Sequence, residues 1–283
     1  MNYRHAFHAG NFADVLKHAV LAALLLQMQQ RPKPLCYLET HAGAGLFRLD
    51  SPEAQRSGES AAGILRCREL APASSALAAY LRLVRGLPGN EGGFNSYPGS
   101  PLVAAGLLGP DDRLVLSELV PAEAAALRRL FRSDPRVAVH CRDGWEALGA
   151  LLPPKPRRGV LLVDPPYEDA QDLDRVVAGL KLARRQWPVG VLAAWYPVKD
   201  RRTLEGFTRA LATAPLGPGG VLRAELSVRP DDNPAGLNGS GMIIVAPPWG
   251  LVEELRPLLA ELWQALREPG APSPRLDWVR RPA

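Results

Sequence analysis

Apolar side chains at Phe12, Val15, Leu16, Ala19, Val20, Ala23 and Leu24 recur at helical spacing, which predicts one helix from an N-cap at Asn11 to about Gln30. Arg31-Pro32-Lys33-Pro34 ends it, because proline cannot continue a helix. A short apolar run, Leu35 to Glu39, then meets a glycine turn, Thr40-His41-Ala42-Gly43-Ala44-Gly45. Six further runs read as strands: 113–117, 136–140, 159–163, 189–195, 221–228 and 241–246. Helical stretches at 122–131, 144–152, 173–185 and 203–212 fall between most of them.

Strands alternating with helices imply an α/β fold, a mostly parallel sheet covered on both faces. The last two runs are separated only by a loop rich in Pro, Asn and Gly, Pro230 to Ser240, too poor in helical pattern for a crossover. They are expected to form an antiparallel pair, giving seven strands with an antiparallel terminal strand. In a dinucleotide-binding fold the acid that takes the ribose hydroxyls follows the glycine turn by about 20 residues. Here the next acid ending a strand is Glu118, far beyond Gly45. The stretch between contains one helical segment, 76–84, among Gly and Pro breaks. We therefore expect a small helical insertion at 48–96, carried by a main domain made of 1–47 and 97–283.

Composition narrows the class. Hydrophobic residues make up 47% of the 283 and charged residues 22%, the balance of a globular protein. No run approaches the roughly 18 consecutive apolar residues of a membrane span, and the N-terminus lacks an apolar signal core, so a cytoplasmic protein with no membrane partner is expected. Cys36, Cys67 and Cys141 are widely spaced, a pattern that suits a reducing compartment and neither a disulfide framework nor a metal site. His5, His8 and His18 lie close in sequence without thiol or carboxylate partners in pattern, and no metal is expected. The net charge of +5 permits a polyanionic partner without establishing one. Basic residues gather at 155–158, 184–185, 199–202 and 280–281, each of which can equally be a solvated loop.

The chemistry concentrates at Asp164-Pro165-Pro166-Tyr167, directly after the strand Gly159–Val163. The carboxyl end of a buried strand is where α/β sheets bind ligands. An adenine-type exocyclic amine is a poor nucleophile, since its lone pair is delocalised into the ring. Two acceptors aimed at its N–H bonds favour the tetrahedral geometry it needs to attack a methyl group. Asp164 can supply one acceptor and the Pro165 carbonyl the other, with the prolines stiffening the loop. Tyr167 offers a ring face for an unstacked base. An Asp-Pro turn with a packed tyrosine is the plain structural alternative. Gly43 and Gly45 permit close backbone approach to a cofactor. Glu118 is placed to accept ribose hydroxyls, and Asp143-Gly144, after the next strand, to meet an adenine amino group. Tyr97-Pro98-Gly99-Ser100 reads as a turn before a helix, whose N-terminus can face the cofactor or merely pack. Lys17 and His18 can be a solvated pair or part of the site.

Asn2-Tyr3-Arg4-His5-Ala6-Phe7-His8-Ala9-Gly10-Asn11-Phe12-Ala13-Asp14-Val15-Leu16-Lys17-His18 resembles the N-terminal signature of the ribosomal RNA large subunit methyltransferase J family, which methylates an adenine of 23S rRNA. The glycine turn, Tyr97 to Pro101, Glu118, Asp143-Gly144, Arg158-Gly159, the Asp164 loop, Trp195-Tyr196-Pro197 and Ser240-Gly241-Met242 fall in the same order, so the resemblance spans nearly the whole chain. It implies a Rossmann-like methyltransferase fold, S-adenosylmethionine as cofactor, and 23S ribosomal RNA as partner, naked or in an early assembly particle. By matching position, Asp164 is the catalytic acceptor. His18, His41, Ser100, Glu118, Asp143 and Gly144 hold the cofactor with Lys17 close by, and Tyr3 contacts the RNA beside Arg4. A monomer is expected. Glu39, Phe47 and the glycine-rich stretch Gly89 to Phe94 depart from the family pattern.

Other classes fit less well. A DNA adenine methyltransferase shares the catalytic tetrapeptide but normally carries a sequence-reading domain, for which there is little room. A protein-glutamine methyltransferase usually has Asn in place of Asp164. A non-catalytic cofactor-binding RNA module would be expected to have lost Asp164 or Tyr167.

Overall fold

A computed structural model describes residues 4–231, 233 and 236–283. The first long element is α1 (Phe12–Gln29), started as predicted by Asn11, whose side chain accepts from the Asp14 amide. The helix is apolar on nearly every side because it lies inside the protein. It meets the length and apolarity of a membrane span, yet 83% of it is buried within the fold, which marks it as a core helix.

The chain continues through β1 (Cys36–Glu39), β2 (Leu46–Arg48), α2 (Pro52–Ser57), two 3-10 turns and α3 (Ser75–Arg85). Then come β3 (Ser96–Pro98), α4 (Ser100–Leu107), β4 (Arg113–Glu118), α5 (Pro121–Leu130), β5 (Val137–Cys141) and α6 (Gly144–Ala150). The second half holds β6 (Gly159–Val163), α7 (Asp172–Gln186), β7 (Val191–Val198), α8 (Arg201–Thr213), β8 (Val221–Ser227), β9 (Gly239–Val245), α9 (Leu251–Leu266) and β10 (Arg275–Arg280).

The main sheet has eight strands in the order β10-β8-β9-β7-β6-β1-β4-β5, one more than the seven expected. The additional strand is β10, antiparallel to β8. Its first four residues, Arg-Leu-Asp-Trp, alternate polar and apolar as a half-covered edge strand does, and it closes an edge that β8 would otherwise expose. β5, β4, β1, β6 and β7 are parallel neighbours, and β9 runs antiparallel between β7 and β8, as the loop before it implied. β2 and β3 pair separately across the ends of the 48–96 stretch, and α3 packs on α1 and α9.

Alternation along the strands sends side chains to two cores. Tyr37, Val160, Leu162, Ala193, Met242 and Ile244 join the cluster built with α1, α3 and α9. Leu38, Leu161, Val163, Leu192, Ala194, Ile243 and Val245 join that of α7 and α8. Strand order reverses at β1: the chain moves out to β4 and β5, then returns to β6 on the other side. The carboxyl ends of β1, β4 and β6 therefore open on one crevice, the usual ligand position of such sheets.

Candidate active site

Asp164 follows the last residue of β6 and Glu39 ends β1 beside it, because Glu39 is in register with Leu162. α1 runs past both. One Asp164 oxygen, Oδ2, receives Lys17 Nζ at 2.6 Å, while Oδ1 has no hydrogen-bond partner among the described residues. Lys17 also reaches Asp14 Oδ1 at 2.9 Å, one helical turn earlier. The Lys17 side chain is only 6% exposed, which removes the solvated-pair reading. Burial works against its charge, but the two carboxylates hold its pKa above that of an ordinary lysine. Burial alone would push the Asp14 carboxyl up; His5 and Lys17 instead hold it well below the usual range.

His18, the next residue, is also buried. Its Nδ1 lies 2.8 Å from the Tyr97 hydroxyl, which in turn meets Tyr80 at 2.8 Å. Its Nε2 is buried with no partner among the described residues. Burial, assisted by the Lys17 charge, depresses its pKa to about 3, so the ring is neutral at physiological pH.

The glycine turn is shaped by its neighbours. Gly43 and Gly45 take φ of 61° and 80°. A Cβ on Gly45 would stand 2.7 Å from Leu127, so glycine is required there both for conformation and for space. Glu118 ties the turn to β4: Oε2 accepts from the Gly43 amide at 2.7 Å and Oε1 from the Val120 amide at 2.8 Å. Each oxygen retains a second lone-pair direction. His41 Nδ1 pairs with Thr40 Oγ1 at 2.8 Å, its ring set edge-on to Trp145, and burial lowers its pKa.

Asp143 caps α6: Oδ1 accepts from the Trp145 and Glu146 amides, leaving Oδ2 without a described partner. Gly144 packs so tightly that a Cβ would come within 2.3 Å of the Thr40 carbonyl oxygen, which accounts for glycine there by packing alone. Ser100 opens α4, and its hydroxyl donates to Glu39 Oε1 rather than pointing freely from the helix end.

Tyr167 adopts φ of 52°, an uncommon conformation for an aromatic residue. It is fixed by its hydroxyl, which donates to the Trp195 carbonyl, and by edge-to-face contact with the Trp195 ring at 5.3 Å. Trp195 is anchored by Nε1 donating to Ser240 Oγ at 2.7 Å. Arg4 is exposed at the entry to a short 3-10 turn, His5–Phe7, whereas Tyr3 lies outside the described residues.

Two site residues were not assigned from the sequence. Glu39 is fully buried, accepts from Tyr37 OH at 2.8 Å and from Ser100, and burial pushes its carboxyl up to about 8. Asp14 joins Lys17 to His5, whose Nε2 stands 3.0 Å from Asp14 Oδ2. The available signal was the charged pair Asp14 and Lys17 inside a helix otherwise mostly apolar, since such groups are buried only when paired.

A family model described as "Ribosomal RNA large subunit methyltransferase D, RlmJ" matches residues 32–280. The chain is 39% identical to "Ribosomal RNA large subunit methyltransferase J" of Haemophilus influenzae over 281 residues, covering 99% of both chains. It is likewise 39% identical to the protein of that name from Escherichia coli K12 over 279 residues, again with 99% coverage of each. A crystal structure of a Legionella pneumophila protein superposes with a TM-score of 0.85 at 33% identity, covering 96% of this chain and 98% of that one. Spanning the glycine turn, the Asp164 loop and both sheet edges, these matches place the chain in the RlmJ family of ribosomal RNA large subunit methyltransferases.

Proposed function

We propose that this chain methylates the N6 amine of one adenine in 23S ribosomal RNA, working as a cytoplasmic monomer on naked RNA or an early assembly particle. The observation that carries the reading is the Asp164 carboxylate. One oxygen is fixed by Lys17, the other has no hydrogen-bond partner among the described residues, and the next residue, Pro165, contributes a backbone carbonyl. Oδ1 and that carbonyl are the two acceptors an exocyclic amine requires. Lys17 keeps the carboxylate oriented through a charge-assisted hydrogen bond. Tyr167, held against Trp195, supplies an aromatic surface for a base taken out of its stack.

S-adenosylmethionine is the cofactor, and it supplies an electrophilic methyl group on sulfur. The residues present fit it. The orphaned His18 Nε2 needs a partner that the described residues do not supply, and Asp143 Oδ2 and the second lone pairs of Glu118 are acceptors suited to amino and hydroxyl groups. Gly43, Gly45 and Gly144 let backbone come close, and His41, Ser100, Lys17 and Asp164 complete the proposed binding set. Tyr3 and Arg4 are assigned to the RNA, a ring to stack and a guanidinium to pair with a phosphate. Residues 48–96 are assigned as an insertion on a methyltransferase domain of 1–47 and 97–283, supported by the β2–β3 pairing at the two ends of that stretch.

The test is transfer of tritiated methyl to a 23S rRNA transcript, with methyladenine mapped in rRNA from a deletion strain. One N6-methyladenine missing from that strain and restored by the purified protein is the expected result. An unchanged modification map would overturn the proposal.

A further inference from the structure

The Asp164 carboxylate and the N-terminal arm are joined through two buried side chains, Asp14 and Lys17. Asp14 Oδ2 accepts from the Gly10 amide at 3.0 Å and meets His5 Nε2 at 3.0 Å, both in the segment before α1. Its other oxygen binds Lys17 Nζ at 2.9 Å, and Lys17 binds Asp164 at 2.6 Å. The Asp14 side chain is 4% exposed, so solvent cannot substitute for any of these partners at low cost. By composition residues 4–10 would be a loose tail. They are instead held from several sides: His8 Nδ1 meets Glu59 at 2.8 Å, and the His5 ring packs edge-on against Phe47 at 4.7 Å.

We infer that Asp14 is a positioning residue that couples the seating of residues 4–10 to the orientation and charge balance of Asp164, with Lys17 as the link. The inference rests on the proposed methylation reading for its effect on rate, and on geometry alone for the link itself. Lys17 is shared between two carboxylates. Withdrawing the Asp14 charge leaves its full positive charge on Asp164 and removes a contact that fixes the ammonium, so the carboxylate loses its set orientation and becomes a weaker hydrogen-bond acceptor. The other groups facing Asp164 are Tyr37 and Glu39 from β1, His41 from the glycine turn and Tyr167 from its own loop, and none of them balances Lys17 as Asp14 does. Anything that draws His5 or Gly10 away from Asp14 leaves that carboxylate, and with it Lys17, less firmly placed, so an arm displaced from its seat changes the orientation of the reacting carboxylate without touching it.

Asp14→Asn is the decisive variant, because it keeps shape and removes charge. Hydrogen exchange at residues 4–10 should accelerate at least tenfold. With the rRNA transcript, kcat should fall at least tenfold while cofactor affinity stays within threefold. Asp14→Glu should recover part of the rate. A merely structural role would speed exchange and lower the melting temperature in step with a loss of cofactor affinity, with no separate fall in kcat, and that result overturns the inference. So does an unchanged kcat. If the wild type transfers no methyl to the transcript, the proposed function fails, and arm exchange still decides whether the link exists. If Asp14→Asn does not fold, His5→Gln withdraws the arm from the same carboxylate at a half-buried position. A kcat reduced at least fivefold with cofactor affinity intact then supports the coupling, and an unchanged kcat removes it.

Discussion

Glu118 Oε2 holds the backbone amide of Gly43 at 2.7 Å, so an acid at the end of β4 fixes the conformation of a turn 75 residues earlier in the chain. The contact arises because β1 and β4 are parallel neighbours whose carboxyl ends coincide, with Glu39 opposite Leu116. It gives Glu118 a part in shaping the glycine turn, beside the cofactor-binding role proposed for it.

Glu118→Ala should therefore weaken S-adenosylmethionine binding by roughly 1.5–3 kcal/mol, the scale of a lost charge-assisted hydrogen bond. Calorimetric titration reads this directly. The melting temperature should fall as well, since the Gly43 and Val120 amides both lose their acceptor. Unaltered cofactor affinity in the folded variant would leave Glu118 with the turn alone.

Asp164→Ala separates binding from chemistry. Cofactor affinity should stay within a few-fold, because Lys17 keeps Asp14 as a partner and its charge is not stranded. Methyl transfer should fall on the order of 10²–10³-fold or more, as when one preorganised hydrogen-bonding group is removed from a transition state. Single-turnover transfer at saturating cofactor checks this, and near-normal turnover would refute the two-acceptor mechanism.

The pH dependence of stability follows from Glu39 and His18. Burial raises the Glu39 carboxyl to about 8 against an ordinary value near 4.5, so the folded state retains a proton that the unfolded chain has released. The stabilisation linked to that proton is complete below about pH 4.5 and is lost as pH rises through about 8. His18 acts on the other side. Its pKa of about 3 against an ordinary 6.5 favours folding above pH 6.5 and loses that contribution as pH falls toward 3. Glu39→Gln, neutral at every pH, should flatten the alkaline decline in melting temperature between about pH 6 and 9 while leaving the acid side unchanged. Thermal melts across that range test the assignment, and an identical slope in the variant would show that Glu39 does not govern it.

RNA binding should be strongly salt-dependent if the basic clusters touch phosphates. For single-stranded contacts log affinity falls by about 0.7 per phosphate for each tenfold rise in salt. A filter-binding series with the 23S transcript reads the slope, and a flat response would return the arginines to a solvated surface.

Much of this architecture is written locally in the chain. The spacing of apolar residues and the Asn11 cap delimit α1 to within a residue, and the run Gly159–Val163 matches β6 from end to end. Those elements depend on periodicity and on groups within a turn of one another, which a linear reading captures. The Asp164 loop and the glycine turn were equally legible, since proline and glycine constrain the backbone wherever they stand. Less legible were the elements whose identity depends on a distant partner. β2 and β3 are three-residue strands that exist because each supplies the other's hydrogen bonds, and β10 is a strand because β8 has an edge to cover. The same holds within the site. Glu39 meets Ser100 across 61 positions and Lys17 meets Asp164 across 147. The sequence by itself determined which residues carry groups suited to the proposed chemistry and that strands would bring them to one end of a sheet. Only the tertiary structure decided which charges share a buried volume, and therefore that Lys17 is divided between two carboxylates and His18 is kept neutral. Burial and long-range pairing set those states, and neither is a property of any short stretch of chain.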